Sequence, residues 1–313
     1  MFFVFVALVF GAVLLWWKDA IGSVDLSDST PEIFVIARGE GARSVATRLA
    51  SEKLVRSSTG FFLLVKFMGI ERSLQAGDFR LNRTMDASVV AQTLTHGTLD
   101  VWVTTLEGWR VEEIATKLVK ALDIPEAEFL KHSREGYMFP DTYLIPKDAT
   151  AGAIAKIFYD NFEQKTASLH ADAAKSGLTF DQVVILASIV EREGRTDEDR
   201  PVIAGILLHR IEADWPLQAD ATLQYALGYQ PAEKSWWKKY LIDEDKNVKS
   251  PFNTYRNPGL PLGPISSPGL ASIKAVIYPK ATEYWYYIHD MAGRAHYAKT
   301  IEEHTANIAK FLQ

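Results

Sequence analysis

The stretch that decides the fold lies at residues 179–194 and reads TFDQVVILASIVEREG. Thr179 followed three residues later by Gln182 matches a capping box, a pattern that predicts the start of a helix. Gly194 is a residue type that commonly ends one. Between these signals the segment VVILASIV is apolar all round. The stretch therefore predicts a helix that is buried on most of its faces.

Two carboxylates, Glu191 and Glu193, stand at the carboxyl end of this helix and point to nearly opposite sides of it. Glu193 shares its side with Val190 and Leu186, whereas Glu191 has Arg195 one turn further on as an expected ion-pair partner. Burial and the negative end of the helix dipole both predict a raised pKa for Glu193, which suits a general acid. Helix position alone is also compatible with two solvated end residues that carry no chemistry.

Composition limits the classes of function. The 313 residues are 48% hydrophobic and 23% charged, which is ordinary for a globular chain with room for two folded units. The net charge of −5 argues against nucleic acid as a partner, since nucleic-acid-binding domains usually carry a basic face. The absence of cysteine excludes disulfides and thiol catalysis. The histidines show no metal-ligand spacing and no nucleotide-binding motif is present, so we expect neither a metal nor a cofactor.

The amino terminus is apolar. Residues 2–17 (FFVFVALVFGAVLLWW) carry no charge, and as a helix they would span about 24 Å of a hydrocarbon core of ~30 Å. The tryptophans that end the run are typical of a membrane interface. We therefore predict a single transmembrane anchor at 1–17 in the cytoplasmic membrane, a linker at 18–31, and a catalytic part outside the cytoplasm. A cleaved signal peptide and a buried core helix are the alternatives, and the basic residues that usually precede an anchor or a signal are missing.

The rest of the chain divides into two patterns. Residues 32–146 alternate strand signals with amphipathic helix signals, whereas residues 147–313 are mostly helical. The second part is interrupted by a stretch rich in proline and glycine at 257–269 and by a hairpin pattern at 284–299. The sequence therefore predicts an α+β fold with two units, divided near residue 147.

Short motifs resemble those of the endolytic murein transglycosylase (YceG-like) family over nearly the whole chain. They are EGW at 107–109, EGY at 135–137, FPDTY at 139–143, ASIVERE at 187–193, LQADAT at 217–222, NTY at 253–255, GLPLGPI at 259–265 and SPG at 267–269. Their order also matches the family, which makes the resemblance more specific than any single motif. Two departures stand out: Leu262 replaces a common proline, and Gly194 replaces a small hydroxyl residue after the second glutamate.

The resemblance implies a lysozyme-like catalytic unit preceded by a small LysM-like α/β unit. It also implies that Glu193 is the catalytic residue of a lyase that cuts the β-1,4 bond between N-acetylmuramic acid and N-acetylglucosamine within nascent strands. Such cleavage leaves a 1,6-anhydro end and terminates strand elongation. Peptidoglycan strands are then the substrate, and peptidoglycan synthases are expected as partners.

Four polar residues are expected to hold the glycan: Gln218, Asp220, Asn253 and Tyr255. Each also has a purely structural interpretation, and Glu191 stays a secondary candidate for the catalytic residue. Asp220 is the candidate for the second carboxylate that a hydrolase of this bond generally needs, and it would make the protein a muramidase. A membrane tether that binds peptidoglycan without catalysis is the alternative from another class.

Two aromatic groups remain. The run WWKK at 236–239 joins two tryptophans to two lysines in a predicted loop and is suited to contact glycan or a membrane surface. For this run, as for the aromatic residues at 284–287, we favour packing in the core.

Overall fold

The computed structural model describes residues 2–37, 39–96, 100–147 and 149–312. The chain forms two compact units, Met1–Val101 with Leu144–Asp148 and Trp102–Tyr143 with Ala149–Gln313. Helices predominate in the described ranges and small antiparallel strand pairs accompany them, so the predicted α+β class is confirmed.

The first unit contains helix α1 (Phe2–Ala20), β1 (Glu32–Ile36), α2 (Ala42–Ser51), α3 (Ser58–Phe67), β2 (Gly77–Leu81) and α4 (Ala87–His96). Strands β1 and β2 pair antiparallel with Phe34 opposite Phe79. Alternate residues of each strand point inward, and they form the core of this unit together with side chains such as Leu49 and Phe61. Among the described residues no single helix passes a test of length and hydropathy for a membrane span, and one bent helix pair passes it jointly.

The second unit contains the remaining elements, except that Val101 and residues 144–145, at the ends of its first two strands, cluster with the first unit. These elements are β3 (Val101–Thr104), α5 (Val111–Leu122), α6 (Glu126–His132), β4 (Thr142–Ile145), α7 (Ala151–Thr166), α8 (His170–Lys175), α9 (Phe180–Glu193), α10 (Asp199–Glu212), α11 (Asp220–Leu227), α12 (Leu270–Ile277), β5 (Tyr286–His289), β6 (Ala295–Ala298) and α13 (Ile301–Phe311). Helix α9 packs against α10, α11 and α12 and is the centre of this unit. The predicted late hairpin is confirmed, since β5 and β6 pair antiparallel with Tyr287 opposite Tyr297.

The signals at both ends of α9 act as predicted. Thr179 Oγ1 accepts a hydrogen bond from the Gln182 amide at 3.2 Å, and Gln182 Oε1 accepts one from the Thr179 amide at 2.9 Å. The helix ends at Glu193, and Gly194 follows in an extended conformation. Seven of the residues from Val183 to Val190 are buried, because the helix is surrounded by its neighbours. This burial fixes the position of the helix end that carries the two carboxylates.

The compact units divide the chain differently from the predicted boundary at residue 147. Residues 102–143 cluster with the second unit, in which α5 packs against α6 and α6 packs against α7. Phe129 of α6, for example, contacts Phe158 of α7 with 6.1 Å between ring centroids. A local pattern indicates that an element is a helix or a strand, and it does not indicate which unit that element packs against.

Candidate active site

Several of the sequence motifs meet at α9. Ser188 in the middle of the helix accepts a hydrogen bond from the Ile265 amide at 3.0 Å, which holds the loop at 259–265 against the helix. In the EGY motif, Gly136 has a φ of +84°, and a Cβ there would lie 2.5 Å from Pro264 Cβ. Only glycine allows this close approach. The motifs are therefore brought together by packing around the helix that ends at Glu193.

The carboxyl of Glu193 lies between the end of α9 and the start of α11. Its Oε1 accepts a hydrogen bond from the Ala221 amide at 3.4 Å, and the Tyr287 hydroxyl of β5 also donates to it. The Ala221 amide is available because the first amides of a helix have no partner within that helix. The carboxyl is thus held by two donors from elements distant in sequence, and the backbone bond is a long one.

Burial raises the pKa of Glu193 above its usual range, and the negative charge of Asp220 adds to the shift. The hydrogen bonds from Ala221 and Tyr287 favour the charged form and act in the opposite direction. The predicted direction of the pKa shift is confirmed. The environment of Glu193 differs from the predicted one, because its side chain is only partly buried and borders a polar cavity.

The cavity in front of Glu193 has a volume of about 340 Å³. Its walls include Gln218, Asp220, Tyr255, Tyr286 and Tyr287, which supply hydroxyl, amide and carboxylate groups and ring faces. This mixture suits a sugar, which presents polar edges and less polar ring faces. Within the described ranges, no group of three or more histidine, aspartate or glutamate side chains is arranged to hold a metal ion.

Asp220 is the first residue of α11, and its side chain is exposed at the cavity. Its Oδ1 accepts a hydrogen bond from the Tyr255 hydroxyl at 2.6 Å. Burial, followed by the bond to Asp220, raises the pKa of Tyr255, so this hydroxyl keeps its proton and remains a donor. The pair places a negative charge close to Glu193.

Gln218 borders the same cavity with an exposed side chain, and its backbone is unusual. Its φ of +50° lies in the left-handed region, which is costly for a residue with a Cβ. The segment is held there by a buried network in which Thr254 Oγ1 lies 2.8 Å from Thr222 Oγ1 and accepts the Ala219 amide at 3.1 Å. The neighbouring threonines thus fix the conformation that presents Gln218 to the cavity.

Asn253 is fully buried and does not border the cavity. Its Nδ2 donates to the carbonyls of Lys246 and Val248, both at 2.9 Å, and its Oδ1 accepts the Tyr255 amide at 3.0 Å. The amide group is therefore engaged within the protein, contrary to our expectation that it contacts glycan. Its place in the structure is to shape the loop that presents Tyr255.

Glu191 lies on another side of α9 and does not border the cavity. Its side chain is 5% exposed, pairs with Arg200 at 3.1 Å and accepts the Gly269 amide at 2.9 Å. The prediction that Arg195 is its partner is wrong, since Arg200 of α10 reaches back across the turn. A Cβ at Gly194 would lie 2.7 Å from Arg200 Cγ, so the glycine at this position leaves room for Arg200.

Six residues at the cavity were not predicted as site residues: Arg210, Tyr286, Tyr287, Ile288, Ile301 and His304. We interpreted the aromatic group that includes Tyr287 as core, although a strand in a hairpin presents alternate side chains to opposite sides. Arg210 is buried and donates hydrogen bonds to the carbonyls of Trp285 and Leu217. It therefore connects the start of the hairpin to the residue that precedes Gln218. No local sequence pattern indicates this contact.

Comparisons with known proteins agree over most of the chain. An endolytic murein transglycosylase of Bacillus subtilis is 28% identical, and the match covers 97% of this chain and 91% of that protein. One of Streptococcus pneumoniae is 25% identical, with 99% of this chain and 64% of the relative covered. The crystal structure of a YceG-like protein from Listeria monocytogenes matches with a TM-score of 0.61 and 26% identity, over 88% of this chain and 99% of that one. The model of the YceG-like family matches residues 34–310, and the chain belongs to that family.

Proposed function

We propose that the protein is a lytic transglycosylase that cuts peptidoglycan strands internally, between N-acetylmuramic acid and N-acetylglucosamine. Relatives matched over nearly the whole chain carry the name endolytic murein transglycosylase. The single observation that carries the chemistry is Glu193, a carboxyl with a raised pKa that borders a polar cavity of the right character for sugars. Such a carboxyl is protonated at a pH where an ordinary glutamate is not.

In the proposed reaction Glu193 performs both proton transfers. The protonated carboxyl donates its proton to the glycosidic oxygen while the bond from that oxygen to C1 of the muramic acid breaks. The resulting carboxylate then takes the proton of the C6 hydroxyl of the same sugar as O6 bonds to C1. Glu193 ends the cycle protonated, no water is consumed, and the new end of the strand is a 1,6-anhydro sugar.

The neighbours of Glu193 can stabilise the charges that form during this reaction. The Tyr287 hydroxyl and the Ala221 amide donate to the carboxylate that forms after the first transfer. Asp220 carries a negative charge at the cavity, where an oxocarbenium-like centre would be stabilised by it. Gln218 and Tyr255 offer an amide and a ring to the N-acetyl sugars. The arrangement therefore supports charge stabilisation by fixed groups.

A muramidase is the second candidate, because Asp220 is a second carboxylate at the same cavity. In that reaction Asp220 would act as a base or nucleophile, and water would be added across the bond. The two reactions differ in the mass of the product, since the lytic product is lighter by one water molecule.

The test is digestion of purified peptidoglycan, with the products separated and weighed by mass spectrometry. We expect anhydro ends from the wild type, their loss in Glu193→Gln, and their persistence in Glu191→Gln, which is the matched control two residues away. Reducing ends that disappear in Asp220→Asn would favour the muramidase. Full activity in Glu193→Gln would remove Glu193 from the site, and binding without cleavage by the wild type would favour a tether.

We also propose that α1 anchors the protein in the cytoplasmic membrane as a single pass, with the catalytic unit outside the cytoplasm. The support is the uncharged run at 2–17 and the large apolar side chains that α1 exposes, among them Phe10 at 63% and Leu15 at 73%. Cell fractionation tests it: the full chain is expected in the membrane fraction, and a chain without residues 1–20 in the soluble fraction. Retention of the shortened chain in the membrane would contradict the anchor.

The first unit is proposed to be LysM-like and to bind glycan. Its order β1–α2–α3–β2, with the two strands antiparallel, is compatible with the resemblance that suggested it. Peptidoglycan synthases as partners stay a prediction from the same resemblance.

A further inference from the structure

A second cavity, which like the catalytic one is lined by residues of α9 and α11, has a volume of about 740 Å³. We call it the basic groove and define it by Arg192, Gln224, Trp237, Lys239 and Tyr240. We infer that it lies near the catalytic cavity, because residues of the same two helices line both. Arg192 directly precedes Glu193 on α9, and Gln224 lies one turn beyond Asp220 on the same side of α11.

The walls of the basic groove are fixed by hydrogen bonds. Gln224 Nε2 donates to the Lys238 carbonyl at 2.7 Å, which ties the loop to α11. Trp237 Nε1 donates to Glu113 Oε2 at 2.9 Å, and the Arg192 guanidinium carbon lies 3.8 Å from the centre of the Trp237 ring. A groove held in this way needs little rearrangement when a ligand enters it.

The two cations of the basic groove lack a carboxylate partner. The ion pairs nearby use Lys238 with Asp245 and Arg200 with Glu191, whereas Arg192 and Lys239 form none in the part of the chain that the structure describes. Arg192 Nε is buried and has no hydrogen-bond partner there. In a chain with a net charge of −5, two such cations beside a catalytic cavity indicate a place for an anionic group.

The other residues of the groove fit a peptide rather than a bare ion. Tyr240 is 70% exposed, and Lys239 Nζ lies 5.0 Å from its ring centre, so that a ring face and an ammonium group are offered side by side. Glu233 also lines the cavity, and its carboxylate accepts the Lys239 amide at 2.8 Å; among the described residues the Lys239 ammonium forms no ion pair with it. The volume is far larger than one carboxylate group requires.

We propose that the basic groove binds the carboxylates of the peptide stems that branch from the muramic acid residues of the strand. The proposal rests on the proposed function, since it takes peptidoglycan as the substrate. The intact sugar backbone of the strand is neutral, so its anionic groups belong to the stems. Removal of the stems exposes a lactyl carboxylate directly on the sugar, whereas Gln224 of the groove lies about 6 Å along α11 from Asp220. The enzyme is therefore expected to prefer strands that carry stems.

The test measures binding to the full chain with Glu193→Gln, so that cleavage does not interfere. Fluorescent glycan oligosaccharides are prepared with their stems and, by amidase treatment, without them. We expect Lys239→Ala to weaken binding of the stem-bearing strands about threefold and Lys239→Glu to weaken it about tenfold, as for exposed charge pairs. Neither change is expected to affect the stripped strands. Lys117→Ala removes an equally exposed charge from α5 and should leave both affinities unchanged.

Two results would overturn the proposal. Equal losses for stem-bearing and stripped strands would transfer the role to the lactyl carboxylate or to general charge attraction. Unchanged affinities in both Lys239 variants would show that the groove binds no anion of the strand. Failure of the proposed function is visible separately, because it appears as an absence of anhydro ends in the digestion and does not alter the comparison of affinities.

Discussion

The two sides of α9 at its carboxyl end use the same residue type in opposite ways. On one side Glu191 forms an ion pair with Arg200 and accepts the Gly269 amide, and its side chain is nearly inaccessible. On the other side Glu193 has a long bond to a backbone amide and one tyrosine donor, and it borders an open cavity. The first carboxylate is fully used by the fold, whereas the second keeps capacity for a ligand.

This difference identifies what makes a carboxyl available for acid–base chemistry. A carboxylate with a close cation and short donors is stabilised in its charged form and is costly to protonate. Burial, followed by the charge of Asp220, raises the pKa of Glu193, and no described residue brings a cation within ion-pair distance of it, so it keeps its proton more readily. The position of a residue on the helix matters less than the number and strength of the partners that other elements bring to it.

The largest effect is expected from Glu191→Gln. The change removes the buried one of the two carboxylates that pair with Arg200, whose side chain is only 13% exposed, and leaves this cation with the exposed Asp197 as its partner. We expect the free energy of unfolding to fall by ~3 kcal/mol, measured by urea denaturation. Glu193→Gln is the matched control and should leave stability within ~1 kcal/mol of the wild type. Equal stability of both variants would break the distinction between the two sides.

A third carboxyl, Glu135, allows the same comparison at another place in the unit, because it is buried without a close cation or a short hydrogen bond. Its Oε2 accepts the Val111 amide and the Tyr225 hydroxyl, each at 3.4 Å, and its Oε1 has no partner among the described residues. Burial, followed by the charge of Glu112, raises the pKa of Glu135 to about 8. The folded protein thus keeps this proton well above the ordinary pKa of 4.5.

The consequence for Glu135 is a loss of stability as the pH rises. Between pH 4.5 and 8 the unfolded chain releases the proton while the folded protein retains it, so the free energy of unfolding falls steadily across this range. Glu135→Gln cannot ionise and should remove this contribution, making the variant more stable than the wild type at pH 8. Denaturation curves across this range measure it. The same slope in variant and wild type would show that Glu135 is not the group responsible.

The sequence predicted the parts of the site that depend on neighbours within a few residues. The capping box, the helix end and the hairpin are local signals, and all three are confirmed. The raised pKa of Glu193 was predicted from burial and the helix dipole, whereas the charge of Asp220 and the Tyr287 hydroxyl come from distant segments. The direction was therefore right, and its causes were incomplete.

The wrong predictions concern side chains whose ion-pair or hydrogen-bond partners lie outside the local sequence pattern. Arg195 is one turn from Glu191, yet Arg200 of the next helix takes that place, because the turn after Gly194 brings α10 back against α9. Asn253 looks like a ligand for sugars by residue type, but its amide group satisfies the backbone of its own loop. Residue type indicates hydrogen-bonding capacity, and only the fold decides whether that capacity is directed inward or toward a ligand.

A smaller effect is expected from Tyr287→Phe, which removes a donor that favours the charged form of Glu193. The pKa of Glu193 should rise further, so that the loss of activity on the alkaline side moves to higher pH. The carboxylate formed during the reaction loses one hydrogen bond, and kcat should fall about tenfold. A pH profile of kcat/KM measures the shift. Tyr286→Phe alters the neighbouring cavity residue, and an equal shift in that control would exclude a specific role for Tyr287.

The smallest effect is expected at Gln218, which borders the cavity and whose left-handed backbone conformation costs free energy. A left-handed residue with a Cβ costs ~1–2 kcal/mol, and glycine avoids this at an entropic cost of ~0.5–1 kcal/mol. Gln218→Gly should therefore raise the free energy of unfolding by about 0.5 kcal/mol while it lowers activity, because the amide is lost from the cavity. Asp214 has a φ of 54° outside the cavity, and Asp214→Gly should leave activity unchanged and give a smaller gain, since aspartate tolerates the left-handed region. If Gln218→Gly kept full activity, Gln218 would have a role in the loop conformation alone. The contrast between the Glu191 side and the Glu193 side of α9 would then rest on Glu193 and its neighbours.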